Sequence, residues 1–146
     1  MLNTASAIIS FFGRLEDQII ELYENLAANE KYSEAKDIFL ALAKDNKRDR
    51  EMVQRVYQEV VTDAIETGFS FTGLNEKDYQ FTTELTEGLS YSNVVRMAID
   101  AEDRSSKFCI DASESSRSLL ADIPQSFEWV AKRKNSRKKQ LASLLE

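Results

Sequence analysis

The sequence predicts an all-α protein, a bundle of four long helices arranged as two antiparallel hairpins joined by one long crossover. Three observations lead there. Apolar residues recur at spacings of three and four along four separate segments, the period of a helix with one buried face. Only four Gly and one Pro punctuate the chain, too few for the many turns of a sheet protein. The 146 residues, 42% of them hydrophobic, supply one core able to bury about two thirds of the unfolded surface. The expectation is therefore a single domain over residues 1–146.

The first helix is predicted over about residues 4–28, with Ile8, Phe12, Leu15, Ile19, Leu22, Tyr23 and Leu26 on one stripe. Gly13 weakens it by roughly 1 kcal/mol relative to alanine. The second is predicted over about 33–67, with Ser33 as its N-cap and Gly68 as its stop. Its stripe is Ile38, Phe39, Leu42, Val53, Val56, Tyr57, Val60 and Ala64. The third, over about 92–112, starts near Ser92 or Asn93 and carries Val94, Val95, Ala98, Ile99, Phe108 and Cys109. The fourth, over about 124–145, opens on Pro124, which suits a first helical turn. Phe127, Val130, Ala131, Leu141, Leu144 and Leu145 form its stripe.

Connection lengths set the topology. The link at 29–32 is short, so the first two helices are antiparallel neighbours, and the stretch 113–123 returns the chain between the last two. Residues 69–91 are too many for a tight turn. They hold Phe69, Phe71, Tyr79 and Phe81, which should pack along the bundle flank.

Each helix places polar residues where its stripe should be apolar. These are Glu16 on the first, Asn46 and Asp49 on the second, Glu102 on the third, and Lys134 and Arg137 on the fourth. The hairpins also match each other. LEDQIIELYENLA at Leu15 parallels AEDRSSKFCIDAS at Ala101, and FLALAKDNKRD at Phe39 parallels FEWVAKRKNSR at Phe127, the pattern of an internal duplication.

Through these stretches nearly the whole chain resembles a ferritin-like four-helix bundle of the rubrerythrin type. That family's di-iron site takes one Glu from each of two helices and a Glu-x-x-His pair from each of the other two. The resemblance implies that Glu16 and Glu102 stand at the single-Glu positions. It also implies that Asn46 and Asp49, and Lys134 and Arg137, stand where the two pairs would be, so all four paired ligands differ. The chain contains no histidine. Its one cysteine, Cys109, excludes the rubredoxin-type iron module built from cysteine pairs.

Chemistry argues the same way. Two irons need several anionic oxygens and usually imidazole, whereas Glu16, Asp49 and Glu102 would share the interior with two cations. Lys134 and Arg137 are instead expected to donate to Glu16, Glu102 and Asp49 as a salt-bridge cluster, because a buried charge persists only when paired. No metal, cofactor or catalytic residue is expected. The competing reading keeps a single metal ion, iron or manganese, on Glu16, Asp49 and Glu102 in a residual oxidoreductase. Two blander placements also stand beside the cluster: Glu16 and Glu102 at the stripe edge, and Asp49 outside with Arg50 nearer the interior. Tyr23 and Tyr57 read as core, with their hydroxyls bonded locally. Cys109 reads as a small apolar filler.

A formal net charge of −6 argues against whole-surface attraction to nucleic acid or anionic lipid. The run KRKNSRKK at residues 132–139 leaves a polyanion-binding adaptor as the least favoured function. On a helix its residues spread around the circumference, with Arg133 facing water. A lone cysteine fits a reducing compartment. With neither a basic leader nor an apolar run of about 18 residues, the expected location is the cytoplasm, with no membrane contact. The favoured function is a non-catalytic scaffold or protein-interaction module. It is expected to form a homodimer through apolar area on the crossover, with an unidentified protein partner as a further expectation.

Overall fold

A computed structural model of the protein describes residues 2–60, 73–117 and 122–145. Among the described residues four α-helices pack together: α1 (Ala5–Ala28), α2 (Lys36–Val60), α3 (Tyr91–Ser115) and α4 (Asp122–Ser143). Among the described residues there is no strand, only an isolated antiparallel bridge between Leu2 and Leu74. No helix among them is long and apolar enough to cross a membrane.

Capping chemistry moves several boundaries from their expected places. Thr4 caps α1, its hydroxyl accepting from the Ala7 N–H at 3.2 Å. Ser33 does not cap α2. Residues Glu30–Ala35 form a short 3-10 helix whose N-cap is Asn29, accepting from the Lys31 N–H, and α2 begins at Lys36. Ser90, rather than Ser92 or Asn93, caps α3, which runs on to Ser115. The fourth helix starts two residues ahead of Pro124 and ends at Ser143, leaving Leu145 exposed. The expected continuation of α2 to residue 67, with Ala64, the Gly68 stop, Phe69 and Phe71, lies outside the described residues, as does the Val60 side chain.

Cross-helix pairs give the directions. Along α2 the residue number rises from Lys47 to Arg50 while their α1 partners fall from Glu24 to Asp17, so the two helices are antiparallel. The same inversion relates α3 to α4, where Ser113 meets Glu128 and Asp103 meets Lys138. It also relates α1 to α3, where Phe11 meets Phe108 and Tyr23 meets Glu102. It follows that α2 and α3 are parallel, and the link between them must travel the length of the bundle. Its described part does so. Leu74 bonds to Leu2, Tyr79 packs on Phe11 and Phe108 and donates to Asp111 at 2.6 Å, and at the opposite end the Leu89 carbonyl accepts from Tyr32. Tyr79 is buried and Phe81 packs against the core, so these two aromatics face inward instead of offering apolar surface.

The core divides into two apolar layers. One holds Phe12, Leu15, Val53, Phe108, Phe127 and Ala131; the other holds Ile19, Ala43, Ala101 and Leu141 with their neighbours. On every helix the polar stripe residues fall between the two.

Candidate functional site

All six polar stripe residues point inward. Glu16, Asn46, Asp49, Glu102 and Lys134 are 0% exposed and Arg137 is 4%. Neither glutamate sits at a stripe edge. Asp49 faces the interior, while Arg50 pairs with Asp17 toward the surface.

The centre is the Lys134 ammonium. Its Nζ lies 2.6 Å from Glu16 Oε1, 2.9 Å from Glu102 Oε1 and 2.8 Å from Asn46 Oδ1, so three N–H groups meet three oxygens from three other helices. Glu102 Oε2 accepts from Arg137 Nε at 3.1 Å, from the Tyr23 hydroxyl at 3.1 Å and from Asn46 Nδ2 at 3.3 Å. Asn46 also donates to the Leu42 carbonyl of its own helix. Arg137 Nη2 reaches Asp49 Oδ2, and Arg133 Nε reaches Asp49 Oδ1 at 2.8 Å. Ser105 donates to Glu16 Oε1 at 2.8 Å. Glu16 Oε2 alone has no hydrogen-bond partner among the described residues.

Three participants escape the stripe argument. Tyr23 is core, but its hydroxyl bonds across the bundle to Glu102 and not locally. Arg133 does not simply face water; with its side chain 34% exposed, it closes the second oxygen of Asp49. Ser105 was masked by its small size. Each nonetheless stands at helical spacing from a recognised member: Tyr23 seven residues after Glu16, Ser105 three after Glu102, and Arg133 four before Arg137. Glu16, Asp49 and Glu102 thus face Arg133, Lys134 and Arg137, three charges against three.

The electrostatics follow this geometry. Burial would raise the Glu102 carboxyl, but Lys134 and Arg137 outweigh it and hold Glu102 below its ordinary value. Burial raises Glu16, which Lys134 opposes only in part while Glu102 adds repulsion. Burial would lower Lys134, yet Glu102 and Glu16 carry it above the usual lysine value. The Tyr23 phenol is pushed far up by burial and by Glu102. Lys134 is therefore held as an ammonium with every N–H engaged, and it has no lone pair to act as base or nucleophile.

A di-iron or single-metal centre does not fit this donor set. The ammonium stands within hydrogen-bond distance of the carboxylate oxygens a metal would need, and the imidazoles are missing from the sequence. Among the described residues no group of three His, Cys, Asp or Glu could hold a metal ion.

No family model, curated protein or solved structure matches the chain.

Beyond the cluster, the basic run on α4 is largely spoken for: Arg133, Lys134, Arg137 and Lys138 all bind carboxylates of the same chain. Cys109 is buried in the apolar layer that contains Phe12 and Phe108, and burial raises its thiol well above the usual value. That environment suits a filler and not a nucleophile.

Proposed function

We propose that this chain is a non-catalytic, rubrerythrin-related bundle of the ferritin-like kind, serving in the cytoplasm as a scaffold or protein-interaction module. One observation carries the proposal: the Lys134 ammonium bonded to Glu16, Glu102 and Asn46 at the point where the four helices converge. A cation built into the chain takes the place that the resemblance gives to metal, and it ties α4 to the other three helices. Reactive chemistry is thereby exchanged for a fixed interior. The surface supports an interaction role at Trp129, which is 49% exposed and lines a groove together with Met52. A polyanion adaptor has less support, since most of the basic run is neutralised internally.

The test is elemental analysis of protein purified without chelator, followed by thermal unfolding with added Fe(II), Mn(II) or Zn(II). The expected result is no stoichiometric metal and no rise in midpoint, since only a ligand that binds the native state raises it. Two metal equivalents lost together in Glu16→Gln and Glu102→Gln would overturn the proposal in favour of a metalloenzyme. One equivalent lost in the same variants would revive the single-ion oxidoreductase.

A further inference from the structure

The outer face shared by α2 and α4 carries a groove that meets the buried cluster only where Asp49 and Arg133 line one of its ends. Trp129 and Met52 stand at its middle. On one side a volume of about 560 Å³ runs toward Glu59, Asp122 and Glu128; on the other, one of about 400 Å³ runs toward Arg48, Arg55 and Arg133. Trp129 is 49% exposed although it is the sole tryptophan of the chain. The Arg133 guanidinium lies 4.6 Å from the indole centroid and holds the ring in place. Among the described residues Arg48, Arg55, Glu59 and Asp122 enter no ion pair, so their charges are not already met within the chain.

With Glu51 standing among the three arginines and Lys132 among the three carboxylates, the face has an apolar centre, one end with a basic excess and one with an acidic excess. That arrangement selects its own partner. A two-fold axis lying in the face and running parallel to the helices would stack basic end on basic end. An axis crossing the helices at Trp129 lays α2 antiparallel on its counterpart, with Arg48 of each copy over Glu59 of the other and the α4 ends, Arg133 and Asp122, likewise exchanged. Two tryptophans then meet near the axis beside Met52, the residue types enriched at the centre of interfaces. At 1.5 Å per residue the two helices offer a face of roughly 35 by 20 Å, or about 700 Å² per copy, close to the roughly 800 Å² of a standard interface.

We infer that the α2–α4 face is the site of homodimerisation, a second copy docking antiparallel across Trp129 with Arg48 of one chain facing Glu59 of the other. The inference rests on the interaction role proposed above and names its partner. A metal-loaded chain would sink that role, whereas a metal-free chain that stays monomeric would sink only the dimer.

Sedimentation velocity from about 1 to 200 µM, with Trp129 emission read over the same range, tests it. The expected result is a monomer–dimer equilibrium whose dimer fraction tracks a blue shift of the indole. Trp129→Glu should weaken association at least about tenfold, the effect of losing a central aromatic anchor, with the circular dichroism of the wild type retained and the same thermal midpoint at concentrations where both are monomeric. Arg48→Glu and Glu59→Arg should each weaken self-association, because both set like charges opposite one another twice per dimer. Mixed together, the two variants restore both pairs and should form a heterodimer at close to wild-type affinity. A wild type that remains monomeric throughout leaves the face to another protein or a small ligand and overturns the inference. So does a folded Trp129→Glu that still dimerises, or a mixture that associates no better than either variant alone.

Discussion

Lys134 Nζ and Glu102 Oε1 lie 2.9 Å apart with both side chains entirely out of solvent, a pair drawn from helices that run antiparallel through the middle of the bundle. Taking two charges from water costs several kcal/mol for each ion, and their attraction compensates only when the remaining N–H groups and lone pairs are also met. Here Asn46, Glu16, Arg137 and Tyr23 meet them. The cluster thus favours one helix register over its alternatives, since a displaced helix would strand a charge.

Lys134→Ala should accordingly cost about 3 to 5 kcal/mol of unfolding free energy, because Glu16 would be left buried with no cation and Glu102 with Arg137 alone. Arg137→Ala should fall in the same range through Glu102 and Asp49. Lys138→Ala, on the same helix as Lys134 but breaking only a partly exposed pair with Asp103 of α3, should cost about 1 kcal/mol or less. Urea denaturation of the three variants checks the contrast, and equal costs would contradict the burial of the cluster.

The two glutamates should not be equivalent. Both Glu102 oxygens are occupied, whereas Glu16 Oε2 has no partner among the described residues. Glu102→Gln is expected to cost about 3 kcal/mol or more, and Glu16→Gln about 1 kcal/mol, since the latter trades a poorly compensated charge for a neutral amide. The same denaturation series decides the order.

Stability should depend on pH at both extremes. Lys134 is raised in the folded state, so its contribution is complete below the ordinary lysine value of 10.5 and is lost as pH rises through the folded value. Glu102 is lowered; its contribution is present above the ordinary 4.5 and is lost as pH falls through the folded value. Glu16 is raised and works the other way, binding its proton more readily folded than unfolded. Glu16→Gln should therefore steepen the acid limb and, by removing one of the two carboxylates that raise Lys134, move the alkaline limb to lower pH, as read from denaturation midpoints along a pH series.

Cys109 should resist a thiol-specific reagent in the native protein and react fully in denaturant. Its side chain is 0% exposed, and burial disfavours the thiolate that would attack. Labelling of one thiol per chain under native conditions would contradict its place in the core.

The crossover should contribute stability through Tyr79. Its hydroxyl donates to Asp111 at 2.6 Å, and its ring packs edge-on against Phe11 and Phe108. Tyr79→Phe keeps the ring and removes the bond, so a loss of about 1.5 to 3 kcal/mol is expected, the range for a hydrogen bond to a charged group. Thermal unfolding of the variant measures it.

Much of this architecture is determined by sequence alone, because it depends on local periodicity. Apolar residues three and four apart define one face per helix whatever the partner, so the four helices and the favoured inward direction of Glu16, Asn46, Asp49, Glu102, Lys134 and Arg137 follow from spacing and the antiparallel hairpins from connection lengths, while the choice between Asp49 and Arg50 as the inward residue falls to the packed structure. Helix ends are less legible: Ser90 and Ser92 are equally good caps by type, and the choice falls to whichever hydroxyl reaches a free N–H. Tertiary structure alone decides who bonds to whom. That Tyr23 reaches Glu102, that Arg133 bends onto Asp49, and that Ser105 serves Glu16 depend on the relative height of helices up to 89 residues apart in the chain. The exposed face of Trp129 is likewise a tertiary outcome, since periodicity separates the buried side of a helix from the rest but does not say which part of the rest a neighbouring helix will line.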